Sequence, residues 1–155
     1  MKLRVVAFGQ RMPSWVDAAW GDYARRIPRD WGLALVELKP EARDRGRTVP
    51  QLLAVEADRV RAACKGAVVV ALDERGRAWT TRELADALAR WRDAGNDVAL
   101  VIGSADGLDP ILCREAAATL ALSALTLPHA LVRILLVEQL YRASALLAGH
   151  PYHRE

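Results

Sequence analysis

The chain has 155 residues, 52% hydrophobic and 26% charged, which suits one soluble domain able to bury about 70% of its unfolded surface. That composition excludes a disordered chain and a disulfide-held miniature, and the length leaves no room for a two-domain enzyme. The formal net charge of +3 is unevenly spread: residues 1–65 carry 13 basic and 8 acidic side chains, whereas residues 66–155 carry 9 and 11. Of the 22 basic residues 19 are Arg, which leaves two readings open, a nucleic-acid partner or a coding bias toward Arg.

Short β-branched runs alternate with longer helical ones, the pattern of an α/β fold. Strands are expected at Leu3–Phe8, Leu33–Leu38, Val68–Leu72, Val98–Ile102 and Ala121–Leu127. The third and fourth are unbroken apolar runs, as in parallel strands buried on both faces. Helices are expected at Ser14–Ile27, Pro50–Cys64, Thr80–Ala94, Asp109–Thr119 and His129–Leu147. Ser14 is placed to cap the first, Thr48 precedes the Val49-Pro50 start of the second, Thr80 and Glu83 have capping-box spacing, and Asp109-Pro110 combines a cap with a first-turn proline. The charged stretch Pro40–Arg47 reads as a mobile loop.

Cys64 and Cys113 lie apart without a CxxC or Cys/His cluster, so both are expected to be reduced thiols, with no metal site. The start MKLRVVAFGQ lacks the apolar core and cleavage site of a secretory signal, and no uncharged apolar run approaches ~20 residues. No membrane association and a cytoplasmic location are therefore expected.

Ligands of open parallel sheets sit beyond the carboxyl ends of the strands. Three such junctions are prominent here: Asp73-Glu74-Arg75-Gly76, Gly103-Ser104-Ala105-Asp106-Gly107, and Pro128-His129. Glycine permits tight turning and close backbone approach, so the second is either a plain turn or a ligand loop. It is not GxGxxG, and no phosphate-loop GKS or GKT occurs. Asp73 and Glu74 are candidate catalytic carboxylates or turn formers.

On the last helix, at ~100° per residue, His129 and Arg133 fall on one side and Glu138 and Arg142 nearly opposite, with apolar residues between. A terminal helix apolar in several directions suggests a partner subunit, hence a homodimer. The chain closes on His150-Pro151-Tyr152-His153-Arg154-Glu155, either a frayed tail or an arm in which Tyr stacks on a base, Arg grips phosphate and His exchanges protons. Trp15, Trp20, Trp31, Trp79 and Trp91 read as packing residues. Arg25, Arg26 and Arg29 read as a solvated helix end or a phosphate patch.

The segment SALTLPHALVRILLVEQLYRA at Ser123–Ala143, the HPYHRE ending, VIGSADGL at Val101–Leu108 and the KLRVVAFGQRMPSWV start together resemble, from end to end, the RlmH family of small ribosomal RNA methyltransferases of the SPOUT class. That resemblance implies a single SPOUT domain over residues 1–155, with a mostly parallel sheet flanked by helices and a C-terminal trefoil knot, a topology that periodicity does not reveal. It further implies a homodimer that uses S-adenosylmethionine, without a metal, to methylate N3 of a pseudouridine in 23S rRNA of the assembled ribosome. A non-enzymatic dimeric RNA-binding module, or a methyltransferase with another RNA target, is the alternative.

By the same resemblance Leu72, Gly103, Leu122, Ser123, Ala124, Leu125, Thr126 and Leu127 wrap the cofactor. His153, Arg154 and Arg142 serve substrate and catalysis, and Tyr152 stacks the uracil or packs the tail. His129 and His153 are the candidate proton acceptors for N3–H, and Arg133, Arg142 and Arg154 the candidates for phosphate or developing charge. His129 and Arg142, on opposite sides of one helix, would serve different subunits' pockets. Where the family commonly carries two glycines, this chain has Gly103-Ser104. The basic first half, with Arg25, Arg26, Arg29 and the Arg43–Arg47 loop, is the expected ribosome-facing surface.

Overall fold

The computed structural model describes residues 1–44 and 46–153, with the side chain of His153 outside the description. In chain order the elements are β1 (Leu3–Phe8), α1 (Ser14–Ala24), β2 (Ala34–Leu38), α2 (Val49–Ala63), β3 (Ala67–Ala78), α3 (Thr81–Asp93), β4 (Asp97–Ile102), α4 (Pro110–Glu115), β5 (Ala118–Ala121) and α5 (His129–Leu147). Single 3-10 turns lie at Arg29–Trp31 and Pro151–His153. The strands form one sheet in the order β2-β1-β4-β3-β5, every pair parallel.

Alternation along the central strands divides the core into two layers, because successive side chains of a strand point to opposite faces. Leu3, Val5 and Ala7 of β1 with Val98, Leu100 and Ile102 of β4 face one cluster, completed by Leu84 and Leu88 of α3 and Leu136 and Leu140 of α5. Val6, Phe8, Ala99 and Val101 face the other, completed by Ala57 and Val60 of α2 and Leu112 of α4. Every β4 residue from Val98 to Ile102 is buried, as a central strand covered on both faces requires.

Local signals account for the helix starts. The Thr48 hydroxyl accepts from Gln51 N while the Gln51 side chain accepts from Thr48 N, and Thr80 and Glu83 repeat the box ahead of α3. Asp109 accepts from Ile111 N and Leu112 N above Pro110. Helix α1 differs from expectation: Pro13 occupies its N-cap position, no side chain caps it, and Ser14 is already helical.

Two larger corrections concern the C-terminal half. The expected helix Asp109–Thr119 is only the six-residue α4, and the expected strand Ala121–Leu127 is instead β5 at Ala118–Ala121 followed by an irregular segment. The alternation of ALSALTL imitates a half-buried strand, but Ser123 turns the chain by accepting from Leu125 N on its side-chain oxygen, a local bond that competes with a ladder. Strand β3 also outruns its apolar run, continuing through the acidic junction to Ala78 with a register shift between Leu72 and Arg77 against β5.

That extension depends on a glycine. A Cβ at Gly76 would lie 2.6 Å from the Thr119 carbonyl oxygen, a backbone atom that cannot swing aside. Gly76→Ala is therefore expected to destabilise the fold by about 2 kcal/mol, in the range of overpacking. Gly21→Ala, inside α1 and facing only the flexible Arg25 side chain at 3.6 Å, should stabilise by up to about 1 kcal/mol. Urea unfolding midpoints of the two variants check both signs.

Candidate active site

A cleft of about 550 Å³ opens beyond the carboxyl ends of β4 and β5 and beside the middle of β3, within the ~300–1,000 Å³ typical of ligand sites. Its walls are Leu72–Arg75 from β3, Ile102–Gly107 from the end of β4, and most of the segment from Leu120 to His129, together with Val132 of α5. Of the residues expected to hold a cofactor, Leu72, Gly103, Leu122, Ser123, Leu125, Thr126 and Leu127 line it, whereas Ala124 lies in the same segment without doing so. Ile102, Val132 and the acidic groups Asp73, Glu74 and Asp106 join them.

The Gly103–Gly107 turn is built for close approach. Gly107 takes φ +86°, and its N–H donates to the Ser104 carbonyl at 2.9 Å. A Cβ on Gly103 would sit 2.5 Å from the Gly107 carbonyl, so only glycine fits at position 103. Ser104 is not among the positive-φ residues, and its side chain is employed: the hydroxyl donates to Glu56 Oε2 at 2.6 Å and accepts from Arg43 Nη2 at 2.9 Å. On the far wall the Thr126 hydroxyl donates to Glu74 Oε2 at 3.2 Å. Arg75 donates to both oxygens of Asp73 and holds its carboxyl below the usual range.

His129 lies at the cleft edge, but its Nε2 accepts from Arg133 Nε at 3.1 Å. Burial first, then the positive charge of Arg133, push its pKa down, and the facing backbone of Gly103 opposes them. Arg133 is 1% exposed and donates onward to Glu37 at 2.7 Å and to the carbonyls of Gly9 and Phe8 at 2.7 and 3.3 Å. The expectation that Arg133 meets phosphate is therefore corrected: the guanidinium is buried and its donors are spent within the fold.

The remaining expected site residues lie elsewhere. Arg142 donates to Glu138 Oε1 at 2.8 Å, the Tyr152 hydroxyl reaches the same oxygen at 3.3 Å, and the Arg142 guanidinium stands 5.0 Å from the Tyr152 ring centre. Tyr152 packs on Tyr141 with ring centroids 4.4 Å apart. Burial and Glu138 push the Tyr152 hydroxyl up. Tyr141 stands twelve positions along α5 from His129, about 18 Å at 1.5 Å per residue, so Tyr152 lies well down the helix from the His129 edge of its own chain's cleft. Arg154 and the His153 side chain lie outside the described residues.

The basic first half is largely paired. Arg25 and Arg26 share Asp22. Arg43 meets Glu56 and Asp106, and Arg47 and Arg59 meet Glu41. Arg45 lies outside the described residues. The stretch Pro40–Arg47, expected to be mobile, is thus tied at Glu41, Arg43 and Arg47. Glu56, at 2% exposure, is a residue the motif reading missed. Its signal is a carboxylate within the buried set Leu52, Leu53, Ala57 and Val60 of α2.

Among the described residues, no group of three or more His, Cys, Asp or Glu stands ready for a metal, and no helix is long and apolar enough to cross a membrane. Burial raises the Cys64 thiol to about 11, which leaves it an inert core residue.

The depressed His129 pKa links stability to pH. The folded state prefers neutral imidazole, so this contribution is complete above the unfolded value of about 6.5 and is lost as pH falls through the lower folded value. The urea midpoint of the wild type should therefore fall more steeply between pH 7.5 and 5.5 than that of His129→Gln. Equal slopes would remove His129 from the linkage.

A family model described as predicted SPOUT methyltransferase matches residues 1–153. Proteins named ribosomal RNA large subunit methyltransferase H from Nitrosospira multiformis and Bordetella petrii are 55% and 54% identical over 155 residues, covering 99% of each chain. In fold, the chain is similar to a probable methyltransferase from Bordetella pertussis Tohama I, with a TM-score of 0.62 and 19% identity over 92% of this chain and 93% of that one. A probable methylase family protein from Haemophilus influenzae gives a TM-score of 0.60 at 17% identity over 99% of this chain and 70% of that one. The chain belongs to the SPOUT methyltransferase family and, within it, to the group of ribosomal RNA large subunit methyltransferase H.

Proposed function

We propose that the protein is a homodimeric, single-domain cytoplasmic enzyme that methylates N3 of a pseudouridine in 23S rRNA on the assembled ribosome, with S-adenosylmethionine as donor. The observation that carries this reading is end-to-end identity above 50% with large-subunit rRNA methyltransferases, in a chain whose strand ends form a cleft of ligand size.

The cleft fits the donor chemically. Leu72, Ile102, Leu122 and Leu127 offer apolar walls for an adenosine body, and Glu74 offers a carboxylate to a sulfonium or an ammonium, whereas Asp73 and Asp106, also in the lining, are paired with Arg75 and Arg43. The irregular Leu122–Leu127 segment has backbone groups outside any sheet ladder, which suits hydrogen bonding to an adenine edge. Bound there, the donor supplies an electrophilic methyl group. Gly103 and Gly107 let the wall approach closely, and orientation in a closed pocket supplies most of the acceleration. His129, with Nε2 engaged by Arg133, positions the start of α5 rather than accepting a proton. The N3 proton then falls to His153, with Arg142 and Arg154 stabilising the developing anion.

A site that unites cleft and tail requires two copies, since about 18 Å of helix lies between them in one chain. Supporting a dimer, Leu131 and Leu135, one turn apart on α5, are 40% and 41% exposed, and Trp15 of the adjoining α1 is 53% exposed. A C-terminal trefoil knot belongs to the same reading, on the family resemblance; consistent with it, the segment after β5 bonds to Glu74 of β3 through Thr126, and α5 returns to the end of β1 through Arg133. Arg43 is engaged by the buried Glu56 and by Asp106, so the ribosome-facing surface is assigned to Arg25, Arg26 and Arg29 around the end of α1, where Arg25 and Arg26 share only the exposed Asp22 and Arg25 is 74% exposed.

Calorimetric titration should give saturable binding of S-adenosylmethionine, and methyl transfer should be efficient on 70S ribosomes and absent on pseudouridine-free ones. A folded dimer that binds no donor would favour the RNA-binding module, and efficient methylation of protein-free rRNA would overturn the assembled-surface reading. For the composite site, Gly103→Ala and a truncation lacking Tyr152–Glu155 should each be inactive, yet regain activity when subunits are exchanged between them. A mixture that stays inactive, with exchange verified, would place the whole site in one chain.

A further inference from the structure

Arg43 stands outside the cleft, yet its guanidinium joins three parts of the molecule. Nη1 donates to the buried Glu56 Oε1 of α2 at 2.6 Å, while Nε and Nη2 donate to Asp106 Oδ2 at 3.1 and 2.9 Å. Nη2 also reaches Ser104 Oγ at 2.9 Å, and Ser104 in turn donates to Glu56 Oε2. Ser104 and Asp106 belong to the turn that forms one wall of the cleft. Glu56 accepts from the Glu41 backbone N–H as well, at 2.9 Å, and Arg59 of α2 pairs with the Glu41 side chain. The 40–47 strap is thereby stapled to α2 on one side and to the turn on the other.

A planar guanidinium holds such an arrangement where an ammonium cannot, because its donors are fixed in a fork. With Ser104 and Asp106 both held, the turn has little freedom to swing away from the cleft.

We propose that Arg43 is a positioning residue for methyl-donor binding, setting the Ser104–Gly107 wall through Ser104 and Asp106 so that the strap outside the cleft tunes donor affinity. The inference rests on reading the cleft as the donor site. It assigns a role to the serine that replaces the family's usual glycine: Ser104 is a point where the strap and α2 grip the turn. It also turns an arginine that composition suggested for RNA toward the donor.

The test uses the full-length protein, with titration of S-adenosylmethionine and S-adenosylhomocysteine and with steady-state methyl transfer to 70S ribosomes. Arg43→Lys keeps the charge opposite Glu56 but loses the fork. Asp106→Asn removes the charge that makes the outer arm strong and leaves the buried Glu56 paired, so it keeps the question answerable if the first variant folds poorly. Each is expected to raise the donor Kd and donor KM about tenfold, with kcat and the KM for ribosomes within about twofold of wild type. Because Asp106 itself lines the cleft, the double variant is decisive. One shared route makes its effect no larger than that of a single variant, whereas independent direct contacts would multiply.

Donor affinity unchanged in Arg43→Lys, a multiplied loss in the double variant, or a lowered Tm with no change in donor KM would each overturn the inference. Failure of the wild type to bind either ligand would instead overturn the donor-site reading.

Discussion

At the meeting of α5 with the ends of β1 and β2, a guanidinium with 1% of its surface exposed is held by a carboxylate, two carbonyls and an imidazole. A buried charge of this kind persists only where its donors are satisfied, and although Glu37 is 37% exposed, the carbonyls of Phe8 and Gly9 complete the set. Arg133 thus fixes where α5 begins relative to the sheet. Its grip on His129 carries that placement to the cleft edge, beside the backbone of Gly103. The segment from Leu122 to Leu127 must then span a set distance between β5 and His129, and this confines it to the cleft wall. Everything proposed for donor recognition depends on that confinement.

Many charges of the first half meet one another. Glu41, Glu56 and Asp106 each meet arginines of the strap or of α2. A basic excess read along the sequence therefore overstates the surface available to nucleic acid. Exposed pairs such as Arg25–Asp22 contribute little to stability and leave their guanidinium groups accessible, whereas Glu56 is buried and its three bonds have structural consequences.

The two ends of α5 carry different chemistry. One end meets the cleft, while the other holds Tyr152 and Arg142 around Glu138. This polarity follows from helix geometry: Tyr141, on which Tyr152 packs, stands twelve positions along α5 from His129, about 18 Å of rise. That separation is what the proposed two-copy site would bridge.

Local rules carry far in this chain. The α2 start at Thr48–Pro50, the capping box at Thr80, the Asp109-Pro110 start and the unbroken apolar strands of an α/β sheet are all legible, because each depends on neighbours a few residues apart or on simple periodicity. The three cleft-forming junctions are legible for the same reason, since parallel strands bring their carboxyl ends to one edge. Illegible were the shortness of α4, the place of β5 and the turn at Ser123, where alternation alone imitates a strand. Equally hidden were the distant partners of Arg43 and Arg133, such as Glu56 at 13 residues and Phe8 at 125. Residue type and spacing announce that a buried Arg or Glu needs a partner; which one it finds is settled only when the sheet and helices bring distant segments within hydrogen-bond reach.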